Sequence, residues 1–155
     1  MDYTLISAEA FANHPGLDDW RYTQARIEAQ FRAGSFGAAA ALAAAIASAA
    51  DTADHHPDID IRYPDRVHVV LTTHALGRGL SELDLTLAAT ISGLAAGAGA
   101  RSEPLSAQVT EIALDALDIA AILPFWRAVL GYVDDTAAGQ IDPVDSLRDP
   151  LRLGP

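Results

Sequence analysis

The sequence contains no cysteine and no lysine among its 155 residues. Without cysteine, disulfide bonds and cysteine metal sites are excluded. All ten basic side chains are arginines scattered along the chain, and they face 21 acidic residues, so the formal net charge is −11. A nucleic-acid surface needs clustered Lys and Arg. The sequence therefore predicts no binding to DNA or RNA, and its charge also argues against an anionic membrane surface.

The chain also lacks a long, strongly apolar run and a basic N-terminal region. Its longest apolar run, residues 36–47, is mostly alanine and is too short to span a bilayer. The N-terminus has no basic segment followed by an apolar core, so it does not read as a signal peptide. We therefore expect a cytoplasmic protein that spans no membrane. Half of the residues are hydrophobic, which suffices for one core, and the length allows one domain plus part of another.

Hydrophobic periodicity and capping residues predict the elements of the first hundred residues. Ser7 and Ser35 stand where helix N-caps are expected, and residues 81–84 read as a capping box. The predicted order is a short helix from Ser7, strands at 20–23 and 25–33, a helix at 36–52, strands at 59–63 and 67–74, and a helix at 81–96. This order predicts an α+β fold, a four-stranded antiparallel sheet with three helices on one face.

The remainder of the chain has a different pattern. Residues 99–108 are small and polar and are interpreted as a linker between a domain at 1–98 and a second unit at 109–155. In that unit we expect a strand at 109–117, a helix at 119–130, a strand at 132–136 and one more beginning at Leu151. The helix should place Ile122, Leu123, Trp126, Val129 and Leu130 on one apolar face. This is a partial βαβ-type unit, too small for an independent core.

Four of the five histidines lie between residues 51 and 84, and imidazole is the side chain best suited to moving protons near neutral pH. His55 and His56 follow a predicted helix, whose C-terminal end favours a protonated imidazole. His74 ends a predicted strand before a glycine-rich turn, where sites are often built. A solvated histidine at a helix or strand end is the alternative for each. For His68 a core or hydrogen-bonded surface role is favoured.

Two further points concern Asp84 and metals. The capping box is a sufficient role for Asp84, although it could also orient or charge a histidine close by. Adjacent histidines such as His55 and His56 diverge, and the spacings typical of histidine metal ligands on a helix or a strand are absent. The sequence therefore predicts no metal site and no cofactor.

These residues carry a resemblance to a known family. Asp51-x3-His55-His56-Pro57, Tyr63, Thr72-Thr73-His74 and Gly79-Leu80-Ser81-Glu82-x-Asp84 together resemble the pterin-4a-carbinolamine dehydratases, over about residues 1–98. Relative to the family, one extra residue lies between Tyr63 and His74 and one between His74 and Asp84, both in predicted turns.

The resemblance implies a hydro-lyase that removes water from 4a-hydroxytetrahydrobiopterin, a small-molecule pterin, to give quinonoid dihydropterin. It implies that His55 and His74 are the acid–base residues, that Asp84 orients or charges a histidine, and that His56 contacts the pterin, with Asp51 as a further substrate-site candidate. The alternative is a non-catalytic pterin-binding or protein-interaction module.

Two expectations concern assembly and the second unit. The alanine-rich face of the helix at 36–52 suits close helix packing, so a homo-oligomer is expected. In the second unit, ALDALD followed by FWRAVLGY resembles the opening of a vicinal oxygen chelate (glyoxalase-like) module, of which only one partial repeat is present.

Overall fold

A computed structural model describes residues 3–77, 79–109, 116–130, 132–135 and 140–143. The chain divides into two compact units, Met1–Gln108 and Val109–Pro155. The elements of the first unit are α1 (Ala8–Ala12), β1 (Arg21–Thr23), β2 (Arg26–Arg32), α2 (Phe36–Ala53), β3 (Asp58–Arg62), β4 (Arg66–Leu71), α3 (Glu82–Gly97) and β5 (Arg101–Ser102). The α+β class with an antiparallel sheet and helices agrees with the prediction.

The sheet of the first unit has the strand order β1-β2-β4-β3, with all neighbours antiparallel. Ile27 of β2 lies opposite Leu71 of β4, and Ile59 of β3 lies opposite Val69. The two-residue strand β5 pairs with the end of β2, where Phe31 lies opposite Ser102. This fifth strand was not part of the predicted four-stranded sheet.

One core forms between the sheet and the helices. Alternate residues of β2 and β4 contribute apolar side chains to the core, as the period of a strand requires, and they share a single cluster with buried residues of α2 and α3. The fully buried large side chains of this cluster include Trp20, Phe31, Ile46, Val69 and Ile91. The helices therefore cover one face of the sheet, and the polar residues of β2, β3 and β4 lie on the other.

Both predicted N-caps are confirmed. The hydroxyl of Ser7 accepts from the amide of Ala10, and that of Ser35 accepts from the amide of Ala38, each at 3.1 Å. These bonds satisfy backbone donors that the first turn of a helix leaves free. At the other end of α2, Asp54 has a left-handed conformation with φ of 48° and ends the helix.

Helix α2 is longer than the apolar run considered from the sequence. By length and composition alone its 18 residues could cross a membrane. Ala39, Leu42, Ile46 and Ala50 nevertheless belong to the core under the sheet, and core helices of globular proteins meet the same criterion. The remaining surface of α2 is mostly exposed alanine.

The predicted strand at 67–74 is too long at its C-terminal end. Strand β4 ends at Leu71, and His74 begins a 3₁₀ turn that runs to Leu76. The reason lies in the neighbouring strands, since β2 pairs with β4 only up to Leu71 and β3 only up to Val70. Beyond Leu71 the chain turns back, and the amide of Thr73 donates to the carbonyl of Gly79 at 2.8 Å.

The prediction of a linker at 99–108 also needs correction. Arg101 and Ser102 form β5 in the sheet, and Pro104–Ser106 form a 3₁₀ turn. Glu103 anchors the segment, because its amide donates to the carbonyl of Gln30 at 2.7 Å and its carboxylate accepts from the side chain of Gln30 at 3.1 Å. Small polar composition indicates loops, but it does not exclude pairing at an open strand edge.

In the second unit the structure describes α4 (Ile119–Leu130), β6 (Tyr132–Asp135) and β7 (Gln140–Pro143). The helix has the predicted bounds, and β6 pairs with β7 in an antiparallel hairpin. On the predicted apolar face, Ile122, Leu123 and Trp126 are half-buried, but Val129 is 58% exposed. The strand predicted at 109–117 falls largely outside the described residues, as does the one beginning at Leu151. The glyoxalase-like resemblance stays a prediction.

Candidate functional site

Asp84 is the buried centre of the candidate site. It lies in the first turn of α3, where the capping box predicted from the sequence forms: the backbone amide of Ser81 donates to Oδ2 of Asp84 at 2.8 Å. The residue is 0% exposed. A carboxylate in such a place requires hydrogen-bond donors on both oxygens, and the capping box supplies a donor to only one of them.

His55 supplies the donor to the other oxygen. Its Nε2 lies 2.7 Å from Oδ1 of Asp84, and its side chain is 11% exposed. The left-handed residue Asp54 turns the chain at the end of α2, and the amide of His55 donates back to the carbonyl of Ala50 at 3.2 Å. The end of α2 and the start of α3 thus meet in a histidine–carboxylate pair. The structure brings together these two residues of the predicted site.

Thr73 completes the surroundings of Asp84. Its hydroxyl lies 2.6 Å from Oδ2 of Asp84 and 2.6 Å from the hydroxyl of Ser81. The sequence analysis named Thr73 and Ser81 in motifs but predicted no role at the site for either. A signal was present, because Thr73 continues the inward alternation of Val67, Val69 and Leu71, and a hydroxyl on a buried face needs a polar partner.

His74 follows Thr73 directly in the chain but is exposed. Its carbonyl accepts from the amide of Gly77 at 2.9 Å, which closes the 3₁₀ turn. Its side chain makes no hydrogen bond or ion pair within the described ranges. The structure therefore places His74 at the same end of the sheet as Thr73 and leaves its imidazole accessible to a ligand, with no direct bond to His55 or Asp84.

His56 and Asp51 form a second histidine–carboxylate pair, on the surface. Nε2 of His56 lies 3.0 Å from Oδ1 of Asp51, and the two side chains are 60% and 77% exposed. Exposed pairs of this kind contribute little to stability. Both side chains stay accessible beside His55, as contacts to a substrate would require.

His68 belongs to a different cluster, on the sheet face away from the helices. Its Nε2 lies 2.8 Å from Oε2 of Glu28, and Oε1 of the same carboxylate accepts from the hydroxyl of Thr23 at 2.7 Å. Burial by itself would raise the pKa of Glu28. The hydrogen bonds from His68 and Thr23, together with the positive charges of His68 and Arg26, outweigh it and lower the pKa below 4.5. His68 is therefore a paired structural histidine, as the sequence favoured.

An apolar groove of about 290 Å³ runs between α2 and α3. It is lined by Ala49, Thr52, Ala53, Leu83, Thr86, Leu87 and Thr90. Its lining carries no titratable group, so the acid–base groups lie outside it. Within the ranges that the structure describes, no group of three or more His, Asp or Glu side chains converges in a way that could hold a metal ion.

Comparisons with known proteins place the chain in a family. The family model for pterin 4 alpha carbinolamine dehydratase matches residues 4–94. A Chloroflexus aurantiacus protein named "Putative pterin-4-alpha-carbinolamine dehydratase" is 48% identical over 84 residues, which are 54% of this chain and 85% of that protein. A Nocardia farcinica protein of the same name is 43% identical over 96 residues, 61% of this chain and 99% of that one.

Among solved structures, a transcriptional coactivator/pterin dehydratase from Brucella melitensis matches with a TM-score of 0.55 and 27% identity. The match covers 59% of this chain and 99% of that one. Sequence similarity and fold similarity therefore indicate the same family for the part of the chain that holds Asp84, His55 and Thr73. Through residues 4–94, the chain belongs to the pterin-4a-carbinolamine dehydratase family.

Proposed function

We propose that this protein dehydrates 4a-hydroxytetrahydrobiopterin to quinonoid dihydropterin. The observation that carries the proposal is the bond between His55 and the fully buried Asp84, inside the segment that matches the family. The reaction removes a proton from a ring nitrogen and the hydroxyl from C4a, and the two leave as water. It needs one base and one acid that work near neutral pH, and two histidines meet both needs.

His55 and His74 are the proposed acid and base. His55 is held by Asp84, so its ring has a defined orientation, whereas the exposed His74 is free to contact a ligand. His56 and Asp51 lie on the surface beside His55 and are proposed to contact the pterin. Dehydration of this kind balances without a redox cofactor or a Lewis acid, so we propose that the protein uses neither. Treatment with a chelator should leave the rate unchanged, and a loss that zinc restores would contradict this.

The test is the rate of dehydration of freshly generated 4a-hydroxytetrahydropterin, measured above the uncatalysed rate. His55→Ala and His74→Ala should each lower it by roughly 10²-fold or more, the usual scale for losing a general acid or base. His68→Ala is the matched control, because it also removes a carboxylate-paired histidine of the same unit. A larger loss for His68→Ala than for the other two would mean that the reaction takes place on the sheet face that carries His68, and would contradict the proposed site.

A second candidate is a pterin-binding or protein-interaction module without turnover. The observations that favour it are the exposed alanine surface of α2 and the apolar groove between α2 and α3. The same surface supports our proposal of a homo-oligomer. Binding of a stable tetrahydropterin with no acceleration of dehydration would select this candidate over the enzyme.

A further inference from the structure

We propose that Thr73 is a positioning residue that determines which nitrogen of His55 exchanges protons. Its hydroxyl, which accepts a hydrogen bond from that of Ser81, fixes Asp84 so that Asp84 accepts a hydrogen bond from the N–H at Nε2, and Nδ1 is left to act on the substrate. The inference deepens the proposed function, on which its catalytic part rests. Its structural part concerns the tautomer of His55 and stands independently of turnover.

Asp84 is surrounded by three hydrogen-bond donors. A carboxylate only accepts hydrogen bonds. Its three close partners must therefore all donate: Nε2 of His55 at 2.7 Å to Oδ1, and the Thr73 hydroxyl at 2.6 Å and the Ser81 amide at 2.8 Å to Oδ2. Oδ2 thus has two donors, and Oδ1 has the imidazole. With both oxygens engaged, the carboxylate group cannot rotate without losing at least one bond.

The hydroxyl hydrogens then have a single consistent direction. Thr73 has one hydroxyl hydrogen, which goes to Asp84. The contact of 2.6 Å between the hydroxyls of Thr73 and Ser81 must therefore be donated by Ser81. The alternative acceptor for Ser81, Oδ2 itself, is farther away at 3.4 Å. The chain of donors runs from Ser81 through Thr73 to Asp84, and neighbouring bonds in such a chain strengthen each other.

The consequence falls on His55. Because Nε2 donates to Asp84, a neutral ring carries its lone pair on Nδ1. Nδ1 has no hydrogen-bond partner among the described residues, and it is not among their buried unpaired atoms, so solvent reaches it. It is thus the nitrogen that can take up or release a proton. A carboxylate that served only as a helix cap would need the Ser81 amide, but neither Thr73 nor His55.

The first measurement is on the unmodified full chain. Nitrogen-15 spectra of the imidazole rings, recorded at a pH where His55 is neutral and assigned with His55→Gln, distinguish the two tautomers. The expected result is a proton on Nε2. A proton on Nδ1 would overturn the proposal without any variant being made.

The second measurement compares Thr73→Val, which removes the hydroxyl at nearly constant shape, with Thr73→Ser, which retains it. Thr73→Val should lower kcat about 10- to 100-fold with little change in KM, since a hydrogen bond to a charged group is of this order. Asp84 then keeps only the Ser81 amide as a close donor to Oδ2 and can turn away from Nε2, so the tautomers of His55 should mix. Thr73→Ser should keep both properties. Thr23→Val is the control, because its hydroxyl also donates to a carboxylate, that of Glu28, on the opposite face of the sheet.

If Thr73→Val keeps the wild-type tautomer and kcat, Thr73 positions nothing. If Thr73→Val does not fold, the wild-type tautomer and the Thr73→Ser variant still test the assignment, and loss of the Nε2 tautomer in Thr73→Ser would overturn it. If the wild-type chain shows the expected tautomer but no dehydration, the proposed function fails while the positioning of His55 stands.

Discussion

Replacement of Asp84 by asparagine tests the candidate site most directly. The change removes one charge at almost constant shape from a residue that is 0% exposed. Asparagine has one accepting oxygen and one donating NH₂ group. Thr73 and the Ser81 amide both donate at the Oδ2 position, so the new carbonyl oxygen should lie there. The NH₂ group then faces Nε2 of His55.

The effect on stability follows from the three bonds that Asp84 accepts. A hydrogen bond to a charged group contributes about 1.5–3 kcal/mol and a neutral one about 0.5–1.5 kcal/mol. Three bonds weakened by about 1 kcal/mol each give an upper limit of about 3 kcal/mol. Relief from burying a charge offsets part of this loss. We expect the free energy of unfolding to fall by about 1–3 kcal/mol, with the fold retained.

The effect on activity should be larger. The NH₂ group can donate to Nε2 of His55 only if Nε2 carries the lone pair, so the proton of the neutral ring moves to Nδ1. Nδ1, the nitrogen proposed to face the substrate, then carries a proton and cannot act as a base. A loss of roughly 10²- to 10⁴-fold in dehydration is expected, the scale of general acid–base catalysis.

The assays are urea unfolding followed by circular dichroism, and dehydration of the 4a-hydroxytetrahydropterin. Asp51→Asn is the matched control for stability, since it makes the same change in the exposed pair with His56 and should leave the unfolding midpoint unchanged. An Asp84→Asn protein that dehydrates the substrate at the wild-type rate would refute the role given to the pair.

Three further predictions concern other parts of the chain. Because the pKa of Glu28 is lowered in the folded state, its contribution to stability is complete above pH 4.5 and is lost as the pH falls through the lowered value. Glu28→Gln should therefore make the free energy of unfolding depend less on pH in this acid range, whereas the exposed Glu82→Gln should leave that dependence unchanged. A chain truncated after Gln108 should melt cooperatively and at a higher temperature than one truncated after Ala100, because the latter loses β5 and the Glu103 anchor; equal melting temperatures would contradict this. Ala44→Glu, on the exposed surface of α2, should shift the mass measured by light scattering toward the monomer, and an unchanged mass would exclude α2 from the interface.

Local features of the sequence predicted much of the first unit. The sequence predicted the bounds of α2 and α3 to within a residue. It also predicted the N-caps at Ser7 and Ser35 and the capping box at Ser81 and Asp84. These features depend on residues three or four positions apart, and the same short-range bonds form in the folded chain. The strand pattern of β4 was equally readable, because alternation of buried and exposed residues is a property of the strand itself.

Local sequence features did not predict where β4 ends or that β5 pairs with β2. Whether a strand continues depends on whether a neighbour still offers backbone partners. Pairing with β2 stops at Leu71 and pairing with β3 stops at Val70, so no strand partner remains for β4 beyond Leu71. Arg101 and Ser102 become a strand because β2 has an open edge beside Phe31 and Arg32. Both results follow from strand register, to which the composition of the segment itself contributes little.

The same division holds at the candidate site. The sequence alone determined that Asp84 caps α3 and that His55 follows the end of α2, since both are properties of single helix ends. Only the tertiary structure decided that these ends meet, across 29 residues of chain, that Thr73 lies against the same carboxylate, and that His68 pairs with Glu28 on the other face, 40 residues away. The physical reason is that packing of α2 and α3 on one face of the sheet forces a buried carboxylate to find its donors among distant residues, and no local pattern encodes which residues those are.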